Sequence, residues 1–216
     1  MRALLEKDIR ILLLRKSTMV MFLVIGIVFT WSFSAYFSGA YLTMLGSMLA
    51  ISTISYDEAD NCMPFLFTLP CARKQYVLEK YLFVYGFSFI AGLIGLLIIL
   101  VASIAKGLPV DVTIIIETLA SEIPILLITG GIMIPLQLKF GPEKSRMVLL
   151  AIVGVIFVIG YMISKSTYVR NLMAEAGRYM DGNAPIRLFA VFLVLLVVLS
   201  VLSVSISGKI MDGKEY

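Results

Sequence analysis

Apolar residues run in long blocks along this chain, with no strand-like alternation. Six blocks stand out: Met19–Tyr36, Ala40–Tyr56, Leu82–Ile104, Val112–Leu138, Met147–Ser164 and Leu188–Ile206. A helix that crosses a bilayer needs about 17–25 predominantly apolar residues, and the blocks are of that order. Without a period of two, a transmembrane β-barrel is not expected. The pattern predicts an all-α membrane protein with six transmembrane helices.

The connections between blocks are short. None reaches the roughly 50 residues of a small soluble domain. Residues 1–216 therefore read as a single transmembrane domain, and any nucleotide-binding or catalytic soluble domain belongs to another chain. Ahead of the first block, residues 1–16 predict a helix lying at the membrane interface. Leu5, Ile9, Leu12 and Leu13 share one face, with Glu6, Lys7 and Arg10 largely opposite; Asp8 and Leu14 spoil the pattern. A cleaved signal peptide, with Phe33-Ser34-Ala35 as its cleavage site, is the competing reading; the long start carrying Glu6 and Asp8 argues against it.

Composition agrees with the pattern. Hydrophobic residues make up 60% of the chain and charged residues 15%, with a mean hydropathy of +1.00. Soluble domains carry about 25% charged residues, so a soluble fold is excluded. The net charge of +4 matters through its placement. With the N-terminus inside, Arg2, Lys7, Arg10, Arg15, Lys16, Arg73, Lys74, Lys80, Lys139, Lys144, Arg146, Lys209 and Lys214 are cytoplasmic. Lys106, Lys165, Arg170, Arg178 and Arg187 are then outside. This is the positive-inside bias, and it puts both termini in the cytoplasm. Basic residues scattered around membrane ends do not make a nucleic-acid surface. Cys62 and Cys71, in a chain without histidine, read as two reduced thiols and make no metal site.

The polar break after the second block is the most unusual stretch. Residues 57–72 open acidic with Asp57, Glu58 and Asp60. They pass through Met63 and then Phe65, Leu66, Phe67 and Leu69, the last four held between Pro64 and Pro70, and lead to the basic pair Arg73-Lys74. Acids favour a helix start, and the prolines fix a turn. An exposed apolar patch of this kind needs a partner or the bilayer surface, so the loop reads as a cytoplasmic docking surface. Lys80, at the membrane edge, is expected to snorkel.

Three further features concern the membrane spans and their ends. Near the tip of the first hairpin, Trp31, Tyr36 and Tyr41 suit an aromatic belt; Trp31, Phe33 and Tyr41 are also candidates for lining the path of an amphipathic substrate. In the second block, Gly46 and Ala50 form a small-residue face that lets helices approach closely. The fourth block carries Glu117 and Glu122, then Pro124, Gly130-Gly131 and Pro135. An intramembrane acid is functional by default, whereas acids in the outer headgroup zone are ordinary. Both placements are open, and Glu117 and Glu122 stand as candidate substrate-path residues. Pro124 and the glycine pair predict a kink. The fourth block exits into a short basic inner loop at Lys139–Arg146. Residues 165–187 form the longest outer loop, in which Leu172, Met173, Ala176 and Met180 suggest a short surface helix.

The sequence resembles the ABC-2-type permeases, membrane subunits of bacterial ABC exporters. The resemblance rests on Glu58, the element Leu69-Pro70-Cys71-Ala72-Arg73, and Lys80 at the start of the third block. It continues in Pro135, Lys139-Phe140-Gly141 and Glu143-Lys144-Ser145-Arg146. Cys71-Ala72 departs from the β-branched residue and Ser common there. The likeness covers the whole chain and is closest to the branch holding permeases of the staphylococcal phenol-soluble-modulin exporters.

This resemblance implies a multi-pass protein of the bacterial cytoplasmic membrane with no catalytic site or cofactor of its own; ATP and Mg would sit on a separate ATPase subunit. Two permease chains, identical or related, would form the path for amphipathic peptides or similar hydrophobic substrates. The loop would be the coupling helix, with Asp57, Glu58, Asn61, Met63, Phe65, Phe67 and Arg73 as its ATPase-coupling residues. Two other classes compete. An intramembrane hydrolase lacks histidine, and Glu117 and Glu122 point about 140° apart on a helix. A standalone membrane scaffold or immunity protein would have no ATPase partner.

Overall fold

The structure is a computed structural model that describes residues 1–32, 35–59, 72–107, 112–166 and 184–214. Among these residues all regular structure is helical: α1 (Arg2–Leu13), α2 (Lys16–Ser32), α3 (Ala35–Ala59), α4 (Arg73–Ala105), α5 (Val112–Lys165) and α6 (Ala184–Asp212). By length and composition, three helical stretches can cross a membrane: Arg73–Ala105, Ile115–Lys165 and Ile186–Asp212. A fourth results if α1 and α2, bent by 70° at their junction, count as one span.

The predicted fourth and fifth blocks lie in one 54-residue helix, α5. The inner loop expected at Lys139–Arg146 is only a break at Gly141, whose φ of 76° and ψ of 174° are open to glycine and strained for other residues. The backbone at Pro124 and Gly130-Gly131 keeps helical dihedrals. Gly130 instead makes room for Tyr85, whose ring lies where a β-carbon would stand, and the carbonyl of Gly131 accepts a hydrogen bond from Ser203 Oγ at 2.5 Å.

α3 and α4 form an antiparallel hairpin with one register. Asp57 faces Tyr76, Thr53 faces Lys80, Gly46 faces Ser88, Thr43 faces Gly92 and Gly39 faces Gly95. Small residues make this seam close: a β-carbon on Gly46 would stand 2.5 Å from that of Ala91, and one on Gly95 would stand 2.9 Å from the Gly39 α-carbon. The expected small-residue face on α3 is used here, with Ala50 wholly buried.

The core sits at one end of the bundle, beside the ends of the 60–71 segment. Leu4 and Leu12 of α1, Ile51 and Ile54 of α3, Tyr76, Val77 and Val84 of α4, Ile134 and Leu138 of α5, and Met211 of α6 pack there. The apolar face of α1 differs from expectation. Its buried residues are Leu4, Asp8 and Leu12, while Ile9 and Leu13 are about half exposed (48% and 50%). The reason is Asp8, which has a buried partner and so turns the helix towards it. Past Gly141, α5 leaves the bundle, and every residue from 151 to 165 is exposed.

Candidate functional site

The two ends of the 60–71 segment are tied to the rest of the bundle by polar contacts. At the end of α3, Asp57 Oδ1 accepts a hydrogen bond from Lys7 Nζ at 2.5 Å, and its Oδ2 accepts from the Tyr76 hydroxyl at 2.9 Å. Lys80 Nζ lies 3.0 Å from Asp57 Oδ2 and 2.5 Å from Asp8 Oδ2, and donates to Thr53 Oγ1 at 3.1 Å. Lys7 also lies 3.3 Å from Asp8 Oδ1. Asp8 and Lys80 are wholly buried. Two carboxylates and two ammonium groups thus join α1, α3 and α4. Lys80 does not snorkel; its charge is matched inside the protein, where an unpaired one would be costly. Glu79 beside it is buried, and neither carboxylate oxygen has a hydrogen-bond partner among the described residues.

The charges shift one another. Burial works against the Asp57 carboxylate, but Lys80 and Lys7 outweigh it and hold the carboxyl below its usual 3.8. Burial also works against the Lys7 ammonium, and Asp57 and Asp8 outweigh it, holding Lys7 above 10.5.

A second set of contacts engages the end of α6. Glu58 Oε1 accepts from Lys214 Nζ at 2.8 Å. Arg73, the first residue of α4, donates to the carbonyls of Met211 and Asp212 at 3.2 and 2.8 Å. A cation suits the last carbonyls of a helix. The second Glu58 oxygen lies against Gly141, 3.1 Å from where its β-carbon would stand. One end of the molecule therefore gathers α1, both ends of the 60–71 segment, the Gly141 break and the end of α6.

A family model described as ABC-2 family transporter protein matches residues 3–212. The chain belongs to the ABC-2 transporter family. It is therefore a membrane transport subunit, the permease of an ABC transporter, of a kind that pairs with an ABC ATPase in a lipid membrane. No curated protein and no solved structure matches the chain.

Within this ABC-2 family member, the expected coupling residues fall into two groups. Asp57 and Glu58 belong to the last turns of α3, which runs past the predicted loop start to Ala59; Arg73 opens α4. All three are engaged inside the chain. Asn61, Met63, Phe65 and Phe67 lie outside the described residues.

The candidate path residues are not gathered in one place. Trp31 is exposed, with Lys106 Nζ 5.1 Å from its ring centre and 3.1 Å from its carbonyl. Tyr41 meets Phe29 edge-on at 5.2 Å. Phe33 lies outside the described residues. Glu117 is exposed and Glu122 is buried, at 2% exposure, against the α3–α4 seam.

Sequence reasoning missed Asp8, Lys7, Lys80, Tyr76 and Lys214 as members of the site. The available signal was Asp8 itself, an acid between Leu4 and Leu12 on a helix bound for an apolar surface.

Proposed function

We propose that this chain is the permease subunit of an ATP-driven exporter in the bacterial cytoplasmic membrane. It crosses the membrane six times, through α2, α3, α4, the two halves of α5 on either side of Gly141, and α6, with both termini inside. Two such chains, identical or related, form the path, each docked on an ATPase through residues 60–71. The substrates are amphipathic peptides or similar hydrophobic molecules. ATP and Mg act on the ATPase, and closure of the ATPase pair moves the loop as a lever.

The observation that carries this reading is the anchorage of the residues on either side of segment 60–71, Asp57 and Glu58 before it and Arg73 after it. Displacement of residues 60–71 must move α3 and α4 directly. It must also pull α1 through Asp8 and Lys7, and α6 through Glu58 and Arg73. A loop that only lay on the membrane would need no such ties to four helices. The apolar patch of Met63, Phe65 and Phe67 supplies the docking chemistry. The exposed apolar second half of α5 suits lipid and a second permease.

The test is co-purification from gently solubilised membranes with genomic neighbours expressed, followed by an ATPase assay. A stoichiometric ATPase that is lost on Phe65→Asp is the expected result. A chain that purifies alone would overturn it in favour of a scaffold or immunity protein.

A further inference from the structure

Glu79 is the odd charge of the ionic cluster. Its side chain is 2% exposed, and neither carboxylate oxygen has a hydrogen-bond partner among the described residues. Both ammonium groups of the cluster, on Lys7 and Lys80, are engaged by Asp8 and Asp57 at 2.5–3.3 Å. Among the described residues no ion pair joins either of them to Glu79. Three carboxylates therefore face two ammonium groups, and with every group ionised one negative charge is left over. Other nearby cations are occupied: Arg10 donates to Glu6 at 2.6 Å, and Arg15 lies 4.7 Å from the centre of the Tyr56 ring. The adjoining segment 60–71 contains no lysine or arginine that could balance the count.

A buried carboxylate with neither hydrogen bonds nor a cation of its own is costly, and a proton removes the charge. Burial is the largest influence on Glu79 and pushes its carboxyl up to about 7. Lys80 on its own helix and Lys7 on α1 oppose the rise, while Asp8 on α1 and Asp57 on α3 add to it. No charge on α2, α5 or α6 is among the principal ones acting on it. The Tyr76 hydroxyl, one turn earlier on α4, donates to Asp57. Two of the four charges acting on Glu79 are thus carried by α1. Movement of α1 changes the surroundings of the carboxyl, and by linkage a proton on the carboxyl changes the hold on α1.

We propose that Glu79 is a proton-binding site that sets how firmly α1 docks: the carboxyl is protonated while α1 covers the cluster and gives its proton to water as α1 leaves. With α1 away and water at the cluster, the desolvation that favours the proton ends, and the carboxyl returns towards the ordinary value of 4.5. Docking therefore takes up a proton between about 4.5 and about 7. The hold on α1 is complete below that window, weakens as pH rises through it, and is weakest above it. Asp57 and Lys7 keep their charges over the same range. That the proton exchanges with the cytoplasm rests on the permease reading; the proton site itself rests on the cluster.

The test uses the full chain in nanodiscs and two readouts, taken from about pH 5 to about pH 8. Infrared difference spectra should show a protonated-carboxyl band that fades as pH rises through neutrality and is missing in Glu79→Gln. Spin labels on α1 and α3 should show the ratio of detached to docked α1 rising on the order of tenfold to a hundredfold over this range. Glu79→Gln, which keeps the shape of the neutral acid, should stay docked throughout. A carboxyl at Glu79 that is already ionised at about pH 5 overturns the proposal, as does an α1 distance with the same pH response in wild type and Glu79→Gln. If the carboxyl is ionised and the distance follows sodium or potassium concentration instead, the missing charge is a metal cation and the proton assignment fails. Because ATP hydrolysis is not a readout, these failures are separate from failure of the permease reading.

Discussion

Lys80 Nζ and Asp8 Oδ2 lie 2.5 Å apart, joining helices α4 and α1 across 72 positions of sequence, and neither side chain reaches solvent. The pair fixes where α1 docks. Removal of one partner leaves the other with only its longer second contact, Asp57 for Lys80 and Lys7 for Asp8, so the loss is bounded by the roughly 3–5 kcal/mol of a fully stranded buried charge. Asp8→Ala and Lys80→Met should each lower the melting temperature strongly in detergent. The double variant Asp8→Leu/Lys80→Met should lose much less than the sum, since the apolar pair has no charge to strand. Additive losses in a double-mutant cycle would show that the two residues do not act as a pair.

The Lys7–Asp57 contact that helps dock α1 should itself be insensitive to pH across the physiological range. Asp57 has its carboxyl held below 3.8, so its contribution is complete above that value and fades as pH falls through the lower folded value. Lys7 has its ammonium held above 10.5, so its contribution is complete below that value and fades as pH rises through the higher folded one. Between these limits a spin-label distance from α1 to α3 should be flat, and salt should change it little because the pairs are largely buried. Burial pushes the neighbouring Glu79 carboxyl up to about 7, so the measurement is made in Glu79→Gln, where a transition between pH 6 and 8 would mean that Lys7 and Asp57 do not hold the helix.

Glu58 and Lys214 offer a charge-swap test of the second tie. The pair is partly buried, at 17% and 26% exposure, so its direct worth is about 1 kcal/mol or less. Glu58→Lys should uncouple substrate-stimulated ATP hydrolysis while leaving the protein in the membrane. Adding Lys214→Glu should restore part of the stimulation. If the swap restores nothing while the ATPase subunit stays bound, Glu58 serves the ATPase directly and not α6.

Glycine substitutions should separate the hairpin seam from the free half of α5. Gly46→Leu must displace the Ala91 β-carbon, 2.5 Å away from the new one, and overpacking of this kind costs about 1–3 kcal/mol. Gly154 has nothing within 4 Å, so Gly154→Ala should be neutral or stabilise the helix by up to about 1 kcal/mol. Thermal melts of the isolated chain distinguish the two. A large loss at Gly154 would place that face against another part of the chain or against a second copy.

What could be read from the sequence follows the range of the forces involved. Helix-forming apolar blocks are local, so the all-helical class and the elements themselves were visible in Met19–Tyr36, Leu82–Ile104 and their fellows. The small-residue face at Gly46 and Ala50 was visible for the same reason, since close approach needs only the absence of bulk. The inner loop at Lys139–Arg146 was overestimated, because one glycine with positive φ suffices to break α5 and leaves its neighbours helical. The polar site was the least legible part. Its members Lys7, Asp8, Thr53, Asp57, Tyr76 and Lys80 come from three helices, and nothing local to α1 announces that Asp8 will face Lys80. Periodicity therefore set α1 on its Ile9–Leu13 side, whereas the buried ion pair turned it to Leu4, Asp8 and Leu12. Glu122 was marked as unusual, but its lodging between Gly39 and Gly92 depends on the register of two other helices.

That register has a consequence for biogenesis. The hairpin of α3 and α4 pairs Asp57 with Tyr76 and Thr53 with Lys80 at one end, and Gly39 with Gly95 at the other. If α4 slid along α3 by a single helical turn, every one of these pairs would part together. Lys80 would lose both acids, and side chains would meet where glycine backbone now touches. Each stranded ion would cost several kcal/mol. The ionic cluster thus penalises misregistered assembly: a hairpin packed out of step leaves its buried charges unmatched.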